Sequence, residues 1–370
     1  MQVARPHATR PGITERREAP AERGSAAREP KAARDVRIGA HFLPENFPVF
    51  MESVQTAEGA GYDRAWVVDS QMLWEDVWVY ITHALAATER IQLGVAVSNP
   101  LTRHYTVTAS TAATLAQLHP GRVLLGLGRG DSAVRTLGFK QVATQRFAEI
   151  VPRVRELIAG REVTTEDAAI RLRWATGESV PIAIAATGPR NLRLAGALAD
   201  IAMPQIGANP VAVKWAVEQI RAGAEEAGRD PDELEIAVFC GLWVSDDLAE
   251  ARSESRWAAA CAANHLADVM KRVPDHGLPA ELTRLVDART QHYDYYAGHL
   301  DSSAEHTAWL TDELIDDYAI LGPAERCLER IRELAALGVT EISSAYLNGR
   351  LEQMERVGRE IVPALAGAPA

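Results

Sequence analysis

The stretch Gly121–Asp131, GRVLLGLGRGD, decides the fold. Its apolar run, Val123–Leu127, is typical of a strand buried on both faces, as in parallel sheets. The run ends in Gly128-Arg129-Gly130-Asp131, where two glycines let a ligand approach the backbone closely. Taken alone, the motif also fits an ordinary glycine-rich turn. A charged pair at the carboxyl end of a buried strand nevertheless indicates a ligand site, because parallel α/β proteins bind ligands there.

Strand and helix patterns alternate through the rest of the chain. Strands are predicted at Val36–Phe42, Arg64–Val68, Ile91–Ser98, Arg122–Leu127, Val180–Ala185, Ile201–Met203, Glu235–Val244 and Thr340–Ala345. Helices are predicted at Phe47–Ala60, Val77–Thr88, Tyr105–Leu118, Arg146–Ala159, Ala212–Ala227 and Ala324–Leu337, and another opens near Pro189. Eight such units predict the α/β class and a (β/α)8 TIM barrel. A doubly wound sheet is the alternative, but no GxGxxG follows the first strand.

A long segment separates the last two predicted strands. We expect a helical insertion there, at about residues 246–320. Its predicted helices are Ala249–Val273, Ala280–Tyr296 and Ala304–Tyr318. At this position they would cap the barrel mouth and shape a substrate pocket, with Tyr293, Tyr295, Tyr296 and Trp309 either lining it or serving as ordinary packing residues. The histidines of the insertion lack a metal-binding spacing, so no metal site is expected. They are His265, His276, His292, His299 and His306.

Composition and charge exclude several classes of protein. The 370 residues are 47% hydrophobic and 24% charged, as in an ordinary globular enzyme. A net charge of −11 argues against a nucleic-acid-binding surface. No apolar run is long enough for a transmembrane helix, so no membrane partner is expected. Cys240, Cys261 and Cys327 are scattered, which predicts free thiols in the cytoplasm. Residues 1–35 are poor in large apolar side chains and are predicted to be a disordered tail before a barrel domain at 36–366.

The run TERIQLGVAV, followed by NPLTRHYTVTASTAATLAQLHPGRVLLGLGRGD, resembles the bacterial luciferase-like superfamily of flavin and deazaflavin oxidoreductases. The resemblance covers roughly residues 36–350 and is nearest to the methylenetetrahydromethanopterin reductase-like branch. It implies a TIM barrel that binds coenzyme F420, or alternatively FMN, at the carboxyl ends of its strands. It also implies a homodimer.

The resemblance implies hydride transfer between F420 and a small organic substrate. Two alternatives stay open. One is a two-component monooxygenase that uses O2 and reduced FMN from a partner reductase. The other is a non-catalytic flavin-binding barrel.

The same resemblance implies several groups of cofactor-binding residues. A non-prolyl cis peptide and bulge would fall around Val97-Ser98-Asn99, against the cofactor ring. Thr187-Gly188-Pro189-Arg190 would anchor a cofactor phosphate, and the physics agrees, because a helix start favours an anion. The remaining positions are Asp69 and Trp74, after the second strand, and Gly128, Arg129 and Gly130.

Three residues are candidates for proton handling or substrate positioning, namely Asp131, His41 and Ser70. Each departs from a branch of the family. Asp131 stands where the glucose-6-phosphate branch has a glutamate, and Ser70 where that branch has a histidine. His41 stands where the methylenetetrahydromethanopterin branch has a carboxylate, and it either performs acid–base work or is structural. Arg103-His104 either contacts the cofactor or a second subunit, or pairs with acidic neighbours.

Overall fold

The computed structural model describes residues 36–272, 277–289, 293–296, 298–346 and 349–366. The strands are β1 (Arg37–Phe42), β2 (Arg64–Val67), β3 (Gln92–Ser98), β4 (Val123–Leu127), β5 (Val163–Thr164), β6 (Ala169–Ile170), β7 (Ile182–Ala186), β8 (Ile201–Pro204), β9 (Glu235–Cys240), β10 (Leu242–Val244), β11 (Ile320–Gly322) and β12 (Glu341–Ala345). Parallel strands close into a barrel in the order β1-β12-β9-β8-β7-β4-β3-β2. The predicted (β/α)8 barrel is therefore confirmed, while the predicted tail at 1–35 lies outside the described residues.

Helices follow the barrel strands and cover the outside of the sheet. They are α1 (Phe47–Gly59), α2 (Val77–Ala87), α3 (Tyr105–Leu118), α4 (Ser132–Arg135), α5 (Thr144–Ile158), α6 (Pro189–Leu198), α7 (Pro210–Glu226), α8 (Leu248–Arg272), α9 (Ala280–Asp287), α10 (Asp312–Tyr318), α11 (Ala324–Ala336), α12 (Leu351–Glu360) and α13 (Val362–Leu365). Asp76 and Asn209 cap α2 and α7 by accepting hydrogen bonds from the first backbone amides of those helices. Among the described helices, none is long and apolar enough to cross a bilayer.

The side chains of the barrel strands divide between two apolar clusters. The larger cluster lies between the sheet and the helices. The smaller one has members on β2, β4, β7, β8 and β9 and fills the barrel interior. Its members are Trp66, Leu124, Ala183, Ile201, Met203 and Ala237. The interior of the barrel is thus a packed core, and open space is left at its carboxyl end.

A buried ion network closes the amino end of the barrel. Arg64, the first residue of β2, forms ion pairs with Glu341 and Glu235, the first residues of β12 and β9, at 2.7 Å each. The Glu341 side chain is fully buried, and its other oxygen accepts a hydrogen bond from the indole of Trp66 at 2.8 Å. Arg37 of β1 reaches Glu235 at 2.8 Å. One network therefore ties together four strands on both sides of the closure between β1 and β12.

The insertion differs from its predicted form in three places. The single strand predicted at Glu235–Val244 is divided into β9 and β10. The strand is interrupted at Gly241, and β10 leaves the barrel to pair with β11. The segment predicted as 246–320 therefore returns through a strand rather than a helix. The helix predicted at Ala280–Tyr296 ends at Asp287, and only Asp312–Tyr318 of the third predicted helix is α-helical. His276 and His292 lie outside the described residues.

Truncation of Glu341 tests the ion network. Glu341→Ala leaves the guanidinium of Arg64 without its fully buried partner, so we expect the free energy of unfolding to fall by about 3–5 kcal/mol. Denaturant titration measures this loss. The control is Glu355→Ala, which removes the exposed ion pair between Glu355 and Arg359 and should change stability by less than about 1 kcal/mol. Equal losses in the two variants would contradict the role given to Glu341.

Candidate active site

Two connected cavities open at the carboxyl ends of the barrel strands. The outer one has a volume of about 400 Å³ and lies between the β4 and β7 ends and α8. The inner one, of about 110 Å³, reaches toward β1 and β2. They share a boundary formed by Val97, Gly130, Asp131, Ala185, Gln205 and His265. This arrangement suits a long ligand in the outer cavity whose reactive end meets a small molecule in the inner one.

The outer cavity offers an anion site at the start of α6. Gly188 is the N-cap of α6, and Pro189 is its first residue, with the φ that a first turn needs. Free backbone amides and the helix dipole favour negative charge at this position. Thr187 and Arg190 line the cavity beside them. The segment expected to anchor a phosphate therefore lies at a cavity wall with the required chemistry.

Three arginines surround the same cavity. Arg129 follows β4, Arg190 opens α6, and Arg272 ends α8. All three residues line this one cavity, and burial together with the positive charges of Arg272 and Arg190 lowers the pKa of Arg129. Arg272 donates to the Gln141 side chain at 2.6 Å, and Arg129 donates to the Val142 carbonyl oxygen at 2.6 Å. Within the described ranges, no carboxylate pairs with Arg129 or Arg190, so this positive charge is available to a ligand.

The bulge that ends β3 forms the wall between the cavities. The peptide bond between Ala96 and Val97 is cis, one residue before the position expected from the resemblance, and the pairing of β3 with β4 shifts register here. Val97 lines both cavities. A side chain at Gly128 would approach a Val97 methyl carbon to 2.7 Å. Gly128, the residue that follows β4, therefore makes room for the bulge as well as for a ligand.

Asp69 is the anchor of the loop after β2. Its carboxylate accepts two hydrogen bonds from Arg103, at 2.9 and 3.1 Å, and one from the Ser98 hydroxyl at 2.8 Å. Arg103 also pairs with Asp76 at 2.9 Å. We predicted that Arg103 contacts the cofactor or a second subunit, or pairs with acidic neighbours; the structure shows the pairing, with Asp69 and Asp76. Asp69 lines the inner cavity, but its oxygens serve chiefly to hold the ends of β2 and β3 together.

Asp131 is held by the insertion. The Tyr295 hydroxyl lies 2.9 and 2.8 Å from its two oxygens, and Arg135 donates to it at 2.7 Å. The imidazole of His265 lies 4.0 Å away. Burial favours the neutral acid, but the charges of His265 and Arg135 and the Tyr295 hydrogen bond outweigh it, so the pKa of Asp131 lies below its ordinary value. The carboxylate is charged at neutral pH.

His41 and Ser70 line the inner cavity from the ends of β1 and β2. Burial lowers the pKa of His41 to about 3, so the near-neutral titration that its residue type suggests does not occur. Its Nε2 atom is buried and has no hydrogen-bond partner among the described residues. Ser70 shares a 2.6 Å hydrogen bond with the hydroxyl of Ser132, the residue after Asp131. His41 and Ser70 therefore present neutral polar groups to the inner cavity, beside the Asp69 carboxylate that is paired with Arg103.

The structure brings nearly all the predicted site residues to these cavities. Those lining the outer cavity are Val97, Gly128, Arg129, Gly130, Asp131, Thr187, Gly188, Pro189 and Arg190. Those lining the inner cavity include His41, Asp69, Ser70, Trp74 and Asn99. Ser98 lines neither cavity, because it is fully buried beneath the bulge and bonded to Asp69.

Sequence reasoning did not identify which residues of the insertion reach the cavities and Asp131. His265 lies at the boundary of both cavities, and His299 lines the inner one. Tyr295 reaches Asp131 across 164 positions of sequence. The signal in the sequence was the density of tyrosine and histidine at residues 292–299. We predicted that the tyrosines either line the substrate pocket or pack, and that the histidines bind no metal.

Comparison with known proteins now bears on this geometry. The family model of luciferase-like monooxygenases matches residues 23–341. The chain belongs to this family. It is an enzyme of the luciferase-like oxidoreductase type, and the resemblance read from its sequence is confirmed.

Individual relatives agree with that assignment. The chain is 30% identical to a 5,10-methylenetetrahydromethanopterin reductase of Methanolobus tindarius, over 88% of this chain and 99% of that protein. It is 32% identical to an F420-dependent glucose-6-phosphate dehydrogenase of Nakamurella multipartita, over 62% of this chain and 72% of that protein. The solved structure of the coenzyme F420-dependent tetrahydromethanopterin reductase of Methanopyrus kandleri superimposes with a TM-score of 0.72 at 25% identity, covering 90% of this chain and 99% of that one.

Removal of one hydroxyl tests the Asp131 contact. In Tyr295→Phe the carboxylate loses a hydrogen bond, so the pKa of Asp131 should rise toward its ordinary value and stability at neutral pH should fall by about 1–3 kcal/mol. Because the native pKa is depressed, this contribution is present above the ordinary pKa and is lost as pH falls through the native one. A ¹³C titration of the carboxyl group measures the shift. Tyr296→Phe is the control, since that ring is 64% exposed; an equal shift there would refute the contact.

Proposed function

We propose that the protein transfers a hydride between coenzyme F420 and a small organic substrate. One observation carries this proposal: the outer cavity combines a helix start with three clustered arginines, and two of these have no carboxylate partner among the described residues. F420 carries a phosphodiester followed by glutamate carboxylates, whereas FMN ends in a single phosphate. Several cations along one groove suit the longer anionic chain better. The relatives named for F420 dependence support the same choice.

The residues present fit this cofactor. Gly188, Pro189 and Arg190 would hold its phosphate, with Arg129 and Arg272 alongside. Val97 and Ala185, at the boundary of the cavities, would contact the face of the ring. When bound, F420 supplies hydride chemistry at C5 of its deazaflavin ring.

The chain's own residues would organise the substrate. Trp74, His41 and Ser70 surround the inner cavity, which is small enough to exclude bulk water. Asp131 stays charged at the boundary of the cavities, where it accepts a hydrogen bond from Tyr295. We propose that these groups position the substrate or handle its proton.

A fluorescence titration tests the cofactor. The protein is titrated in parallel with F420 and with FMN, each oxidised and reduced, and we expect preferential binding of F420. Arg190→Ala and Arg272→Ala should each weaken F420 binding about 10- to 100-fold, because each removes a charge-assisted contact of about 1.5–3 kcal/mol. Added salt should reduce the difference between wild type and variant.

The matched control is Arg193→Ala in the same helix as Arg190. Arg193 pairs with Glu226 and Gln219 and does not line the cavity, so its loss should leave F420 affinity unchanged. Preference for reduced FMN would overturn the proposal. The protein would then be a monooxygenase fed by a partner reductase, and oxygen consumption would be the next assay. Tight binding of either cofactor without turnover would favour a non-catalytic barrel.

We also infer a homodimer that uses the helices after β2 and β3. These strands are neighbours in the barrel, so α2 and α3 are neighbours on its surface. Both carry exposed apolar side chains, with Val79 54% and Val107 59% exposed, and Leu101 lies exposed just before α3. Exposed apolar side chains of this kind are typical of a protein interface. We place the protein in the cytoplasm, since its three buried cysteines are free thiols.

A charge placed on this surface tests the dimer. Val107→Glu should convert a dimer into a monomer in light scattering after size-exclusion chromatography, because the carboxylate would have to be buried in the interface. Val211→Glu is the control, on an exposed position of α7 that lies elsewhere on the surface. Disruption by both variants, or by neither, would remove α3 from the interface.

A further inference from the structure

His299 is a partly buried imidazole at the inner cavity whose surroundings define its orientation. Its ring stacks on Trp74, with centroids 5.6 Å apart and planes at 26°. The Tyr295 ring lies 5.1 Å away on another side. The insertion therefore places an imidazole between the substrate cavity and the tyrosine that binds Asp131. When this ring is neutral, its single proton is on either Nδ1 or Nε2.

Hydrogen bonds around Tyr293 determine which nitrogen of His299 carries the proton. The Leu300 backbone amide donates to the Tyr293 oxygen at 3.3 Å, and Nδ1 of His299 lies 2.7 Å from that same oxygen. Burial raises the pKa of Tyr293 well above its ordinary value, so its hydroxyl keeps its proton. That proton has Nδ1 as its acceptor among the described residues. The opposite assignment would leave a buried hydroxyl proton without a described acceptor, at a cost of about 1–3 kcal/mol.

With Nδ1 as an acceptor, the neutral ring of His299 carries its proton on Nε2. Burial lowers the pKa of His299 to about 4, against an opposing contribution from Asp131, so the ring is neutral at pH 7. A neutral imidazole with a fixed N–H is a hydrogen-bond donor that can polarise a carbonyl group without carrying charge. Tyr293 is the positioning residue that fixes this tautomer.

The rest of the inner cavity suits a small substrate with one polar reacting group. Its walls include Phe239, Leu300 and Met203, which are apolar. His41 lines it too, and its buried Nε2 lacks a partner among the described residues. Such an atom costs free energy unless a ligand satisfies it. The cavity thus offers two neutral imidazoles to a mostly apolar molecule.

We propose that His299 donates a hydrogen bond from Nε2 to the carbonyl oxygen of the substrate, and that the substrate is a small ketone or aldehyde reduced to an alcohol. This inference rests on the proposed hydride transfer. The carbonyl carbon accepts a hydride with its electron pair from a reduced deazaflavin, and the π electrons of the C=O bond move onto oxygen. Nε2–H stabilises the oxygen without being transferred, and the oxygen then takes a proton from water. Electrophilic stabilisation of this kind acts on the transition state.

The tautomer can be measured without cofactor or substrate. A long-range ¹H–¹⁵N spectrum of histidine-labelled protein separates the Nε2–H form, the Nδ1–H form and imidazolium, and the spectrum of His299→Gln identifies the His299 signals. We expect the Nε2–H form at pH 7, and a mixture of the two neutral forms in Tyr293→Phe. An Nδ1–H ring or an imidazolium in the native protein would overturn the proposal.

The contact with the carbonyl is tested by infrared difference spectroscopy with ¹³C-labelled and unlabelled cyclohexanone. Bound to the native protein, the ketone should show a carbonyl stretch shifted to lower frequency. The shift should disappear in His299→Leu and return in part in His299→Gln, which restores an N–H donor. His306→Leu is the control. The His306 ring is buried with its centroid 4.2 Å from that of Tyr293, but it does not line the cavity.

Turnover of the same ketone with reduced F420 completes the test. His299→Leu should lower kcat about 10²- to 10³-fold, the usual effect of removing such a donor, while F420 affinity stays unchanged. Binding of cyclohexanone without a shift, or no binding of any small ketone, would refute the substrate class. If F420 fails to bind, the proposed function fails, yet the tautomer and the infrared shift still decide the role of His299.

Discussion

The ion pair between Arg64 and Glu341 is the interaction on which the barrel depends. It joins the first residues of β2 and β12, on either side of β1, where both charges are removed from water. Such a pair is tolerated only when every partner is present, and here Trp66 and Glu235 complete the set. A Cβ atom at Gly39 would lie 2.4 Å from a Glu341 oxygen, so this position of β1 requires glycine. With the amino end closed and Trp66 above it, the two cavities of the described residues open at the carboxyl end.

The insertion completes the site that the barrel begins. Its longest helix, α8, carries His265 to the boundary of the cavities and Arg272 to the arginine-lined outer cavity. Arg135, after β4, pairs with both Asp131 and Asp268 of α8, and Tyr295 adds a second bond to Asp131. Some of the contacts between the insertion and the barrel are therefore made by a residue of the site itself. The outer and inner cavities meet at this one carboxylate.

The barrel could be predicted from the sequence because each strand is a short apolar run that ends in polar or glycine-rich residues. The same signal failed at Glu235–Val244, where apolar character continues across Gly241 although the chain leaves the barrel to pair with β11. The anion site was visible because its residues are contiguous. The surroundings of His299 were not, since Trp74 and Tyr293 meet it only through the fold of the insertion. Pairing across such distances has no local pattern.

Charge is distributed between the two cavities in a way that suits hydride transfer. Arginines are confined to the outer groove, where solvent and an anionic ligand can balance them. In the inner cavity burial lowers the pKa values of His41 and His299 to about 3 and 4, because a charged imidazole there would lose its hydration. Hydrogen bonds from neutral donors are strong in such a low-dielectric space, and they need no reorganisation when negative charge develops on a substrate oxygen.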